Sequence, residues 1–145
     1  MKKFIVLTAV FFIGVFFAQE PIKNLSKEDI PIEVANLVDI STVTFMIDTE
    51  PSFPGGMSAF RKEFSQNFDT SALEKTDGGT LKTVVYYVVE VDGSVVYVKA
   101  IGENESFNKE AERTLKSIKT KYAPAKVNNL VVRHLLRMPL SMNFK

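Results

Sequence analysis

The sequence contains no cysteine and no tryptophan, and only one of its 145 residues is a histidine. Without cysteine the chain has no disulfide framework, no thiol nucleophile and no cysteine that could carry a lipid after removal of a leader. One histidine and no cysteine cannot supply the nitrogen and sulfur ligands of a usual zinc site. The formal net charge of +1 also differs from the strongly basic balance of nucleic-acid-binding proteins. These absences argue against thiol chemistry, a zinc site and nucleic-acid binding.

No combination of residues typical of an active site is found. The serines lack the surroundings of a nucleophile elbow, and the acidic residues are scattered at positions typical of a surface. His134, between Arg133 and Leu135, fits a structural or surface role better than that of a ligand or base. Gly55-Gly56 could place an anion at a helix N-terminus, but such a pair more often only lets the chain turn. We therefore predict a protein that is not an enzyme and has no cofactor and no small-molecule substrate.

The first 18 residues have the pattern of a secretory signal peptide. Lys2 and Lys3 form the charged start, Phe4–Phe17 the apolar stretch and Ala18 the small residue at the expected cut. A phenylalanine two positions before Ala18 departs from the usual small residue, which leaves the cleavage site open. The alternative is an uncleaved anchor, but about 15 helical residues rise only about 22 Å against about 30 Å of hydrocarbon. We therefore predict that residues 1–18 are removed and that the protein is exported.

The stretch from Leu81 to Gly102, LKTVVYYVVEVDGSVVYVKAIG, is predicted to form the centre of the fold. Its two halves are rich in valine and tyrosine, which are typical of β-strands. Asp92-Gly93 between them predicts a type I′ hairpin turn, because both residue types tolerate a positive φ. Alternate residues of a strand point to opposite faces, and here both faces are apolar. The first strand is therefore expected at the centre of a sheet.

Apolar residues at spacings of three and four predict a helix over Gly56–Asn67. The predicted buried stripe consists of Met57, Phe60, Phe64 and Phe68. A second helix is predicted over Lys109–Lys119, with Asn108 as its N-cap and Ala111, Leu115 and Ile118 as its buried residues.

Two shorter elements are predicted before the first long helix. A short helix is expected near Ile32–Leu37, and an extended piece at Val43–Ile47 is expected to pack on the sheet or to add a minor strand. One further strand is predicted over Leu130–Phe144. Because Pro139 has no N–H to donate to a ladder, this strand is expected at an edge or a bulge.

The order of these elements predicts the topology. Two strands joined through a helix should run parallel, and the first strand of the hairpin fits between them, antiparallel to both. The predicted fold class is α+β, with a three-stranded antiparallel or mixed sheet built from the hairpin, a helix and an edge strand. Both long helices are expected on one face of this sheet.

Four segments in this order resemble the TonB C-terminal domain family, and most closely its Bacteroidetes-type forms. They are PSFPGGMSAFRKEF, the central hairpin, FNKEAERTLKSI and YAPAKVNN, followed by the final apolar strand. The resemblance covers residues 45–145. It divides the chain into a signal peptide at 1–18, a partly ordered N-terminal segment at 19–50 and a TonB C-terminal-like domain at 51–145.

Two departures from the family limit what the resemblance implies. Tyr122 stands where the family usually has tryptophan before the x-Pro-Ala turn. Energy-transducing members also begin with an uncleaved inner-membrane helix and a long proline-rich spacer, whereas only Pro21 and Pro31 precede Pro51 here. The family's fold and mode of peptide binding are therefore expected here more than its energy transduction.

The resemblance implies a stand-alone periplasmic module that binds an extended segment of an envelope protein by strand addition. A TonB-dependent outer-membrane transporter is one such partner. The residues that we expect to contact it lie on the final strand: Leu130, Val131, Arg133, His134, Leu135 and Arg137. Two alternatives remain open. The charges on this strand could simply discourage aggregation, or the edge could pair with a second copy to form a homodimer.

Overall fold

The computed structural model describes residues 15–16, 25–74 and 78–144, which form an α+β fold. The main sheet is antiparallel, with the strand order β1-β6-β2-β3. Its strands are β1 Val15–Phe16, β2 Gly79–Val89, β3 Val95–Ile101 and β6 His134–Phe144. A separate two-stranded sheet pairs β4 Ala125–Val127 with β5 Leu130–Val132. The α-helices of the described ranges are α1 Ile32–Leu37, α2 Gly56–Asn67 and α3 Glu105–Ser117.

Strand β2 lies in the middle of the three long strands, as its two apolar faces predict. It pairs antiparallel with β3 on one side and with the whole length of β6 on the other. Strands β3 and β6 are joined through α3 and flank β2, which confirms the predicted topology. The short strand β1, on the far side of β6, was not predicted.

The two long helices cover one face of the sheet. Phe60 and Phe64 of α2 are fully buried, together with Phe107 and Leu115 of α3. They pack against Val85, Tyr87 and Val89 of β2, and against Met138, Leu140 and Met142 of β6. This arrangement confirms that both helices lie on the same face. The bounds of α2 are also as predicted, but Met57 is 52% exposed and does not belong to the buried stripe.

Helix α3 begins four residues earlier than the sequence predicts. The side chain of Asn104, not that of Asn108, caps it by accepting a hydrogen bond of 2.8 Å from the Phe107 backbone N–H. Asn108 instead donates to the carbonyl oxygen of Gly102, at 2.8 Å. The earlier start adds Phe107 to the core. The helix also ends earlier than predicted, at Ser117, so Ile118 lies just beyond its end and is half-buried.

The N-terminal part of the described chain covers the opposite face. The short helix α1 forms where predicted, and Val34, Val38 and Val43 are buried there. They pack against Tyr86 and Val88 of β2 and Leu135 of β6. The Val43–Ile47 piece packs on the sheet but forms no strand of its own. Residues 25–45 are thus part of the same folded unit as the sheet.

The hairpin between β2 and β3 is fixed to the turn around Tyr122. Of Asp92 and Gly93, only Gly93 has a positive φ, 83°, and its N–H donates to the Glu90 carbonyl oxygen at 2.9 Å. The predicted type I′ turn is therefore wrong, because Asp92 keeps a negative φ. The Gly93 carbonyl oxygen in turn accepts a hydrogen bond of 2.9 Å from the Tyr122 N–H.

Tyr122 also contributes a buried hydroxyl to the core. Its hydroxyl lies 3.0 Å from that of Tyr87, so each phenol is the partner of the other. Burial raises the pKa of Tyr122 to about 12. Burial, and next the proximity of Tyr122, raises the pKa of Tyr87 well above the ordinary value of about 10.

The tyrosine pair predicts a loss of stability at alkaline pH. In the unfolded chain a tyrosine loses its proton near pH 10, whereas folded Tyr122 keeps its proton up to about pH 12. The stabilisation is therefore fully present below pH 10 and is lost as the pH rises towards 12. We expect the free energy of unfolding to fall by about 2–3 kcal/mol over this range because of Tyr122 alone. Urea unfolding at several pH values measures it.

The double variant Tyr87→Phe/Tyr122→Phe is the control for this loss. It should show a smaller alkaline decrease than the wild type, since the other titrating groups remain. The single variant Tyr122→Phe leaves the Tyr87 hydroxyl buried without its partner, so it should be less stable at pH 7 by about 1–3 kcal/mol. Identical pH profiles of stability for the wild type and the double variant would show that the tyrosine pair does not cause the alkaline loss of stability.

Candidate functional site

The outer edge of β6 is the candidate functional site. On its inner side β6 pairs with β2 from His134↔Val89 to Phe144↔Gly79. On its outer side, within the described ranges, the only strand pairing is that of β1 with Ser141 and Met142. Between the start of β6 and β1, the stretch Leu135–Leu140 has no strand beside it in the described ranges.

Side chains along β6 alternate between the two faces of the sheet. Leu136, Met138, Leu140 and Met142 point towards the long helices and belong to the main core. Leu135 points the other way and is 1% exposed, packed against α1 and the Val43 segment. Arg137 is on the same face as Leu135, and it is exposed. Of the two, Arg137 is therefore the side chain that a molecule beside the edge can reach.

Pro139 indicates which backbone groups of β6 point outward. In an antiparallel ladder, the N–H and C=O of one residue face the same neighbour, and successive residues alternate. Pro139 lies opposite Val84 in an uninterrupted ladder and has no N–H to donate, so its backbone belongs to the outward set. Leu135, Arg137 and Ser141 then share this orientation. Their N–H groups are therefore directed away from β2, towards the side on which β1 lies.

The start of the edge is closed by the chain itself. The Thr44 N–H donates to the Arg133 carbonyl oxygen at 2.9 Å, and His134 Nδ1 lies 2.7 Å from the Thr44 carbonyl oxygen. Arg133 Nε donates to the Glu90 carboxylate at 2.8 Å, and its Nη1 donates to the Thr42 hydroxyl. The hydrogen bond with Glu90 raises the pKa of Arg133. Arg133 and His134 thus connect the N-terminal segment to the sheet.

Leu130 and Val131 do not lie on the same edge as the other predicted contact residues. The predicted single strand over Leu130–Phe144 is wrong, because the chain breaks at Arg133 and its first part pairs with β4. Asn128 and Asn129, with φ of 48° and 63°, form the two-residue turn of that hairpin. The side chain of Leu130 is 71% exposed there. Of the six predicted residues, Leu135 and Arg137 lie along the outer edge between Thr44 and β1.

The opposite edge of the sheet has an irregular backbone. Tyr86 pairs with Lys99 and Val88 pairs with Val96, so β3 contains one extra residue over this interval. Tyr97 lies in this bulge with a φ of 53°, which is rare for a residue with a large side chain. A bulge of this kind interrupts the regular row of donors and acceptors that a further strand needs. No local sequence pattern predicted this bulge.

Two residues of the predicted signal peptide lie against the candidate edge. Val15 pairs with Met142 and Phe16 pairs with Ser141, in antiparallel orientation. The rest of the predicted segment at 1–18 and the expected cleavage site lie outside the described residues. By the orientation derived from Pro139, Phe16↔Ser141 is the pair joined by hydrogen bonds. The outer edge of β6 is thus a place where an extended strand is accommodated.

Comparisons with known proteins identified no relative that would indicate a role for this protein. No family model, no curated protein and no solved structure matches the chain. In the part of the chain that the structure describes, no helix has the length and apolar character needed to cross a membrane.

Proposed function

We propose that this protein is a non-enzymatic module that binds an extended peptide by strand addition to the outer edge of β6. The pairing of β1 with Ser141 and Met142 is the observation that supports this most directly. It shows the edge with an antiparallel strand in place, which is the geometry of peptide capture by β-augmentation.

The dimensions of the edge suit a short linear segment. Leu135–Leu140 spans about 20 Å at about 3.4 Å per residue, and a peptide that displaced β1 would gain the positions of Ser141 and Met142. The inner side of β6 is paired along its whole length, so the edge is rigid before a peptide arrives. A rigid edge loses little conformational entropy on binding.

The partner that we propose is an envelope protein with an accessible extended segment, such as a TonB-dependent outer-membrane transporter. The support is the resemblance of residues 45–145 to the TonB C-terminal domain family, together with a last strand whose outer side, over Leu135–Leu140, pairs with no strand of the described ranges. In this proposal the protein acts in the periplasm and binds without transducing energy. Pairing of two copies through the same edge is the competing possibility, and a mass that rises with protein concentration would reveal it.

Arg137→Pro is the variant that tests strand addition. By the orientation derived above, Arg137 directs its N–H outward, so proline removes a donor needed by the peptide and spares the ladder with β2. We expect the affinity for a labelled peptide from the N-terminal segment of an envelope transporter to fall at least tenfold. Fluorescence anisotropy measures this affinity, and urea unfolding shows whether the fold is retained.

Two matched variants accompany this test. Arg137→Gln removes the charge and keeps the N–H, and its effect should be small and confined to low salt, since exposed charges are screened within about 10 Å at 0.1 M. The backbone N–H of Leu136 is directed towards β2. The variant Leu136→Pro should therefore break a ladder hydrogen bond with β2 and destabilise the fold. If Arg137→Pro stays folded and binds the peptide like the wild type, strand addition at this edge is wrong.

A further inference from the structure

We propose that Val15–Phe16 acts as an intramolecular plug, so that the Ser141–Met142 end of the β6 edge opens to a peptide only when these two residues are removed or displaced. The inference rests on the proposed function, because it concerns the same edge. It adds a form of regulation, because the segment that the sequence predicts to be removed contains the two residues that close the Ser141–Met142 end of the edge.

The register of β1 carries this inference. Phe16 faces Ser141, whose N–H and C=O belong to the outward set, and Val15 faces Met142. A peptide added along β6 as far as Ser141 must use the same donor and acceptor. The plug and the peptide therefore exclude each other at this position.

The covalent connection to the rest of the chain makes the plug effective, although the plug itself is short. Eight residues, 17–24, separate Phe16 from Leu25, which packs in the apolar cluster on the second face of the sheet. A short covalent connection of this kind gives a local concentration in the millimolar range, which favours closure even by a weak strand. Because β1 comprises two residues in the described ranges, a longer peptide that also pairs along Leu135–Leu140 can compete with it.

The size of the effect follows from the closed fraction. If the plug occupies the edge nine-tenths of the time, the apparent affinity for an added peptide falls about tenfold, in proportion to the open fraction. Removal of residues 1–18 abolishes this competition. It leaves the two buried clusters intact, because their buried members extend from Val34 to Met142.

The test compares the full chain with the chain 19–145, both in the same mild detergent. The probe is a labelled synthetic peptide with the sequence of residues 13–19, with a scrambled peptide as control. We expect residues 19–145 to bind it at least tenfold more tightly than the full chain does. Amide hydrogen exchange is a second measurement that requires no added peptide. The Ser141 amide should be protected in the full chain and should exchange faster in the chain 19–145.

Two substitutions in the full chain make the test specific. Phe16→Pro removes the N–H of the hydrogen-bonded pair and should raise the affinity for the probe towards that of 19–145. Val15→Pro, at the pair without hydrogen bonds, should change it less. Equal Ser141 exchange in both forms, or equal affinity, would overturn the plug.

The outcomes also separate the plug from the proposed function. If 19–145 captures the transporter-derived peptide, but not the 13–19 peptide, and Ser141 exchanges equally in both forms, the plug is wrong and the proposed function stands. If Ser141 is protected in the full chain and 19–145 binds only its own segment, the plug is supported and the proposed partner is wrong.

Discussion

Replacing Gly93 with alanine should destabilise the protein by about 3 kcal/mol or more, close to the exceptional end of single substitutions. A Cβ at this position would lie 1.9 Å from the Tyr122 carbonyl oxygen, so the backbone itself would have to move. The positive φ of 83° adds a cost of about 1–2 kcal/mol for any residue with a Cβ. Movement of the turn would also strain the hydrogen bond from the Tyr122 N–H to the Gly93 carbonyl oxygen. The midpoint of urea unfolding measures the effect.

Gly56→Ala is the matched control for Gly93→Ala. Gly56 has nearly the same φ, 79°, but a Cβ there would meet nothing within 4 Å. It should therefore cost only the conformational term of about 1–2 kcal/mol. The difference between the two variants isolates the steric contact with Tyr122. Equal effects would mean that the hairpin turn can withdraw from Tyr122 at little cost.

Phe60→Ala is the second large prediction, with an expected loss of about 3–5 kcal/mol in the free energy of unfolding. The Phe60 ring is fully buried and lies edge-on to that of Phe53, with 5.4 Å between ring centroids. It also contacts the ring of Phe64, at 5.9 Å. Truncation would remove these contacts and leave a cavity where α2 packs on the sheet. Urea unfolding measures the loss.

Met57→Ala provides the comparison for Phe60→Ala, one helical turn away. Because the Met57 side chain is 52% exposed, its truncation should change the stability by less than about 1 kcal/mol. A small effect at Phe60, or similar effects at both positions, would show that the apolar stripe of α2 does not face the core as described.

The order of the main elements could be predicted because each has a strong local signal. The bounds of α2 follow from the break at Pro54-Gly55 and from phenylalanines spaced by four residues. The central position of β2 follows from its two apolar faces. These signals depend on short stretches of sequence, and tertiary contacts did not override them.

The break at Arg133 could not be predicted because its cause is a long-range pairing. Leu130–Val132 and the strand after Arg133 are both apolar and read as one run. They separate because the first part turns back on β4 through Asn128 and Asn129. Two consecutive asparagines are compatible with a type I′ turn, and this was the available signal. Helix α3 shows the same limitation on a smaller scale, since Asn104 and Asn108 are equally good caps by residue type.

Only part of the candidate edge could be predicted from the sequence. Arg137 is exposed on β6, and Pro139 predicted that this strand lies at an edge or a bulge. Leu135 was expected at the partner surface, but its side chain is covered by α1 and by Val43. Packing of Val43–Ile47 on the sheet was predicted, but no local pattern indicated that it would cover Leu135. The pairing of Val15–Phe16 with β6 was also not predicted. An apolar stretch with the composition of a leader has the composition of a strand as well, so composition alone does not distinguish the two.

The bulge at Tyr97 limits how copies of this protein can assemble. A protein with two regular sheet edges can join head to tail without end and grow into a filament. Here β3 is interrupted by Tyr97, so of the outer long strands of the main sheet only β6 offers a second copy a regular edge in the described ranges. The two copies would then present the same edge to each other around a twofold axis. Such a dimer is closed: once it forms, the main sheet of neither copy has a further regular long edge in the described ranges, and growth through this sheet stops at two.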